Sequence, residues 1–161
     1  MYLCNCFENK NEYYDIKLSG DGHLSINYFT PKRWYEYIGF NLGNQKRTLT
    51  VSVPAKFMGA VSASTVSGDI TMSNLGLSEA LVVSTTSGEI GLKDIVASGQ
   101  SSVSSVSGKV SGNILGDSKD YTIKATTVSG DKNLPLSTNG NKLLNVSTTS
   151  GDIDIYFTPA I

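Results

Sequence analysis

Cysteine, histidine and charge are all scarce in this chain. Two cysteines, Cys4 and Cys6, and one histidine, His23, are all that its 161 residues offer, too few for a four-ligand zinc site of the usual kind. Cys4 and Cys6 read as two unpaired thiols in a loose terminus, since a bridge between them would close a very small, strained ring. With His23 alone, at a turn, a Ser-His-Asp arrangement would need that turn to fold over the rest of the chain. Charged residues make up 17% of the sequence and sum to -1 with no long run of one sign, which leaves no electrostatic footprint for nucleic acid or an anionic membrane. Nucleotide-binding and hydrolase motifs are missing: there is no P-loop, no dinucleotide fingerprint and no Gly-x-Ser-x-Gly. No stretch approaches the ~20 apolar residues of a membrane helix. The opening residues, Met1 to Glu8, lack the basic start and apolar run of a secretory signal. The expectation is a chain that does not insert into a membrane and carries no cofactor.

Ser, Thr, Gly and Asn take up the room that charge leaves. Ser-Gly pairs at Ser67-Gly68, Ser87-Gly88, Ser107-Gly108, Ser129-Gly130 and Ser150-Gly151 recur at intervals of 20, 20, 22 and 21 residues, the signature of a repeat architecture. Aligned on these pairs, Ala63, Val83, Val103, Ala125 and Val146 fall in one column. Val61, Leu81, Ile123 and Leu144 fall in another, two residues earlier. After the turn, Ile70, Ile90, Val110 and Ile153 share a column, and Met72, Leu92, Leu134 and Ile155 share another two residues on. An apolar period of two, with β-branched residues and recurrent glycine, specifies strand and excludes helix.

One coil of about twenty residues buries too few apolar side chains to offset the entropy of ordering its backbone, so the coils must stack. Parallel pairing of each strand with its equivalent in the next repeat supplies a backbone ladder and a continuous core. The predicted fold is all-β, a single-domain parallel β-solenoid of about five coils. The glycine column then marks either positive φ or tight approach between coils. The column after it reads Asp69, Glu89, Lys109, Asp131, Asp152, with the one cation set among acids to relieve repulsion. In the fourth coil Lys132 stands where an apolar residue is expected, and Leu134 and Leu136 are expected to fill the core instead.

Residues 1–11 read as a loose terminus, 12–56 as an N-terminal cap of antiparallel strands, and 57–161 as the repeated coils. Within the cap, Ile16 to Ile26 alternates about a Gly-Asp-Gly turn and predicts a hairpin. Two further strands are expected over Tyr35 to Asn41 and Arg47 to Val53. Beyond Ile153, Ile155 and Phe157 only Pro159 blunts the last strand, so an open C-terminal edge is the expected surface for homo-oligomer formation.

With Leu49-Thr50-Val51-Ser52-Val53-Pro54 leading into Ser64-Thr65-Val66-Ser67-Gly68-Asp69-Ile70 and its successors, residues 12 to 158 resemble the bacterial putative-adhesin family, a family of unknown function. The resemblance implies a β-solenoid associated with the bacterial cell envelope, and it brings no catalytic residues. Lys109 and Lys132 are the local departures from its pattern.

The acids Asp69, Glu89, Asp131 and Asp152 raise calcium binding or a glycosidase-like carboxylate pair. Lys109 interrupts that column, so turn capping is the expected role and no metal is predicted. Thr65, Thr85, Ser105, Thr127 and Thr148 form a ladder of the kind seen in ice-binding solenoids, but the uneven spacing spoils a lattice match. The densest aromatic cluster holds Tyr13, Tyr14, Tyr28, Phe29, Trp34, Tyr35, Tyr37 and Phe40. Trp34, Tyr35 and Tyr37, with Lys32 and Arg33 beside them, are the candidate ligand-binding residues, because aromatic faces stack on sugars and peptides. The reading is a non-catalytic structural or interaction module that meets a protein or a surface glycan. A carbohydrate-binding or carbohydrate-active solenoid is the alternative.

Overall fold

The computed structural model describes residues 3–6, 14–20, 23–28, 48–54, 56–137 and 139–159. They belong to two compact units, Met1–Pro54 and Ala55–Ile161. The first contains strands β1 (Leu3–Cys6), β2 (Tyr14–Leu18), β3 (Leu24–Tyr28) and β4 (Leu49–Ser52). β2 and β3 form the expected antiparallel hairpin, in register from Tyr14 opposite Tyr28 to Leu18 opposite Leu24. The Ser19 amide closes it on the His23 carbonyl at 2.9 Å, and the Tyr14 and Tyr28 rings meet edge-on at 5.7 Å. The terminus expected to be loose instead carries β1, which pairs antiparallel with β4. Four residues are too short to display a period, so only the partner strand selects the conformation. The strand expected over Tyr35 to Asn41 lies outside the described residues.

The second unit is the solenoid. Its strands are β5 (Val61–Thr65), β6 (Ile70–Leu77), β7 (Leu81–Thr85), β8 (Ile90–Ala97), β9 (Gln100–Ser105), β10 (Val110–Leu115), β11 (Tyr121–Ser129), β12 (Lys142–Ser150) and β13 (Ile153–Thr158). All pair in parallel. Coils one, two, three and five each give one strand to a five-stranded sheet and one to a four-stranded sheet. The fourth coil gives β11 to the first sheet and, to the second, only an isolated bridge from Lys132 to Ile153.

The coils do not stack in chain order. The five-stranded sheet runs β5-β7-β9-β12-β11 and the four-stranded sheet β6-β8-β10-β13. The fifth coil therefore lies between the third and the fourth, which corrects the expectation that each repeat pairs with the next. The 22-residue interval accounts for it. Its extra length forms a 3₁₀ turn, Ser118–Asp120, in which Asp117 caps the Lys119 amide at 3.0 Å. This turn carries the chain past one strand position, and β12 later fills the gap, with Val146 beside both Val103 and Ala125. The five-stranded sheet therefore ends on β11 of the fourth coil, while in the four-stranded sheet the edge strand is β13, as expected, with only the Lys132 to Ile153 bridge beside it.

Alternate residues of both sheets face inward and make one core. Leu81, Val83, Ile90, Leu92, Val103, Val110, Leu144, Val146, Ile153 and Ile155 are all buried there. Leu134 joins it at 5% exposure, whereas Leu136, expected beside it, is 71% exposed. Tyr121 is fully buried and its hydroxyl donates to the Ala97 carbonyl at 3.0 Å. Burial pushes its phenol pKa up. Ser101 occupies the column of Leu81 and Leu144; its Oγ is buried and has no hydrogen-bond partner among the described residues.

The glycine column is where the coils touch. A Cβ on Gly88 would lie 2.1 Å from the Gly68 carbonyl oxygen, one on Gly108 1.9 Å from that of Gly88, and one on Gly151 2.3 Å from that of Gly108. One on Gly130 would lie 2.3 Å from the carbonyl oxygen of Gly151. Close approach, not a left-handed backbone, therefore demands glycine at 88, 108 and 151. The inward hydroxyls complete the joint: Thr85 donates to Gly68 O, Ser105 to Gly88 O, Thr148 to Gly108 O and Thr127 to Gly151 O, at 3.1 to 3.5 Å. Thr85, Ser105 and Thr148 are buried, so the Thr/Ser ladder is an internal seam and not an ice-binding face.

Gly108→Ala is expected to cost about 3 kcal/mol or more, because a backbone carbonyl cannot swing aside. In Gly68→Ala the new methyl meets only Thr65 Oγ1 at 3.1 Å, and the cost should stay within about 1 kcal/mol. Denaturant midpoints of the two variants measure the contrast, and equal losses would refute the role assigned to stack position. Ser101→Ala removes a buried, unpartnered hydroxyl and should raise stability by about 1 kcal/mol in the same assay.

Candidate binding surface

The outer face of the four-stranded sheet carries the densest organised polar chemistry among the described residues. Its starting point is a break in strand period. In β6 and β8 the inward positions run Met72 then Leu75, and Leu92 then Ile95, three apart instead of two. The phase is reset by Asn74 and Asp94, whose φ values of 54° and 53° place them in the left-handed region, which Asn and Asp tolerate best among non-glycine residues. Across this span β10 has one residue fewer, with Gly112 opposite Leu92 and Ile114 opposite Ile95. Asn113 therefore stands against the bulge at Asp94.

Asn113 ties three coils together here. Its Nδ2 donates to Asp94 Oδ1 at 2.8 Å and to Thr158 Oγ1 at 3.2 Å, while its Oδ1 accepts from the Asp94 amide at 3.1 Å. Asn74, Asp94, Asn113 and Thr158 line an open cleft of about 440 Å³, with Leu115 and Pro159 as its apolar part. A pocket of this size and mixed lining suits a small polyhydroxylated or peptide group.

A second network lies beside it on β13. Lys109 Nζ is 3.2 Å from Asp154 Oδ2, and Asn133 Nδ2 donates to Asp154 Oδ1 at 3.0 Å. Asn133 Oδ1 accepts the Ile155 amide at 3.0 Å. Asp154 thereby links coils three, five and four. Hydrogen bonds from Tyr156 and then Lys109 hold its carboxyl below the usual carboxylate range. The same contacts raise the Lys109 ammonium and the Tyr156 phenol. Tyr156 stands opposite Asn113 in the ladder and leaves 60% of its surface exposed.

The acid column behaves as turn capping. Asp69 Oδ1 accepts the Glu89 amide and Asp152 Oδ1 accepts the Asp131 amide, both at 2.9 Å. Lys109 was expected to neutralise this column, but its main partner is Asp154, with Asp152 contributing less. The turn pairs Ser67-Gly68, Ser87-Gly88, Ser107-Gly108, Ser129-Gly130 and Ser150-Gly151 all fall at the ends of strands of the five-stranded sheet. Lys32, Arg33, Trp34, Tyr35 and Tyr37 lie outside the described residues. The cleft residues were missed in the sequence, although the phase break at Asn74 and Asp94, twenty residues apart, was a readable signal.

A family model described as Toastrack DUF4097 matches residues 4–111. The chain belongs to this family. The Toastrack match runs from β1 into β10, so the exchanged fourth and fifth coils lie beyond it. The fold is similar to the crystal structure of a "putative cell adhesion protein" from Clostridium sporogenes. That likeness has a TM-score of 0.70 at 16% identity and covers 96% of this chain and 81% of that one. No curated protein matches this chain.

Asp154 yields a pH signature. A carboxyl with a depressed folded-state pKa stabilises above its unfolded value and loses that contribution as pH falls through the folded value. Asp154→Asn should therefore lower the denaturation midpoint at neutral pH, and the gap to the unaltered protein should close below about pH 4. A gap that persists at pH 2 would contradict the assigned cause.

Proposed function

We propose that this Toastrack domain is a non-catalytic, adhesin-like interaction module of a bacterial envelope-associated protein, presenting the wall of its four-stranded sheet to a partner. One observation carries the reading: the polar side chains of that wall are tied to neighbouring coils. Asn113 is bound to Asp94 and Thr158, Asp154 to Lys109 and Asn133, and the turn acids Asp69 and Asp152 to amides of adjacent coils. Groups held this way keep a surface in a constant shape, which serves recognition, where pre-organisation lowers the cost of binding. The cell adhesion description of the Clostridium sporogenes neighbour is consistent with it.

The cleft favours a surface glycan as the partner over a flat protein face. The amide, carboxylate and hydroxyl groups of the lining match vicinal hydroxyls, and Leu115 and Pro159 suit the apolar face of a sugar ring. Asp94 is the one charged group in this lining, which points to a neutral sugar.

An array of glycans and cell-wall fragments probed with the purified protein tests this. Binding to neutral glycans should fall at least roughly tenfold in the Asn74→Ala, Leu115→Ala double variant, with the saccharide recovered intact. A parallel Trp34→Ala, Tyr35→Ala variant reports whether the aromatic cluster contributes. Shortened saccharide products would overturn the non-catalytic reading, and absence of binding to every glycan would refute the sugar site.

A further inference from the structure

The fourth coil ends the stack, and its strand β11 is the outer strand of the five-stranded sheet. A nine-residue edge strand offers a row of amides and carbonyls to any other strand, a hazard that proteins blunt with charge, bulges or covering segments. Here the chain covers it with itself. After Gly130 the backbone doubles back so that Ser137 pairs antiparallel with Ile123. The Ile123 amide donates to the Ser137 carbonyl at 2.8 Å and the Ser137 amide to the Ile123 carbonyl at 3.3 Å. Two residues along the same edge, Lys132 Nζ donates to the Ala125 carbonyl at 2.8 Å. This explains Lys132: where the other coils place Ile or Val, the outermost coil uses an exposed ammonium to occupy an edge acceptor, and Leu134 fills the core.

We propose that residues 132–137 are a guard segment, and that when it is displaced a second copy of this chain takes its place by antiparallel β11-to-β11 pairing. The guard already shows the geometry, since it meets Ile123 antiparallel and occupies the groups that such a pair would use. A two-fold pairing centred on Ala125 sets Ile123 opposite Thr127, Lys124 opposite Thr126 and Val128 opposite Thr122. No like charges then oppose one another, and Val128, 83% exposed in the single chain, gains a β-branched neighbour. The result is a ten-stranded sheet with an isologous interface. This edge is separate from the cleft lined by Asn74, Asp94, Asn113 and Thr158, although the guard includes Asn133, which holds Asp154 of the polar wall.

Sedimentation equilibrium of the full chain tests it. The unaltered protein should sediment as one chain. Lys132→Ala combined with Ser137→Pro, which removes two of the guard's donors, should shift to a two-chain mass, with a dissociation constant at least roughly tenfold lower than that of the unaltered protein. Adding Thr126→Lys, which sets the new lysine against the second copy's Lys124 on both sides of the two-fold, should return the mass to one chain. Lys132→Met alone leaves the guard's backbone in place and should give a smaller shift in the same direction. Variants that keep their circular dichroism yet stay single, or a dimer indifferent to Thr126→Lys, would overturn the proposal.

Discussion

The contact on which this solenoid depends is a glycine resting on the carbonyl oxygen of the glycine one coil below. Where a methyl would lie about two ångströms from that oxygen, the neighbouring coil has already taken the space. Because both partners are backbone, the spacing between coils is set by covalent geometry and not by side-chain choice, and it matches the strand separation of a parallel sheet. The seam hydroxyls of Thr85, Ser105, Thr148 and Thr127 then bond to the same carbonyls. One small residue thus brings ladder, seam and core into a common register.

That arrangement explains both what could be read from the sequence and what could not. Ser-Gly spacing and the columns of Val, Ile and Leu specify strand, inward face and parallel register, because each follows from a period of two and a repeat near twenty. Stack order is invisible to the same argument. Val103 is as good a neighbour for Ala125 as for Val146, since a column of equivalent residues is equivalent in any order. Only the irregular interval and the Asp117-capped turn hint that the chain skips a position. Lys132 showed the same limit: its departure from the apolar column was plain, but its reason needed the knowledge that the fourth coil is outermost.

The polar wall was hidden for a different reason. Asn74, Asp94, Asn113 and Thr158 are scattered over 85 residues of sequence and belong to no motif. They converge because a left-handed residue in β6 and another in β8 reset the strand phase, and because β10 omits one residue opposite. The Asp154 cluster is likewise assembled from three coils, two of them out of chain order. Function in a repeat protein of this kind is written across the repeats, in the direction that a linear reading does not follow.

The exchanged coils also bear on how the molecule comes into being. Solenoids ordinarily grow by adding each new repeat to the exposed end of the last. Here the fifth coil, which follows the fourth in the chain, must enter between the third and the fourth, with β9 on one side and β11 on the other. The equivalent columns would accept β11 against β9 in its place, so a stack built in chain order competes with the finished one. Insertion of β12 is the step that separates the two.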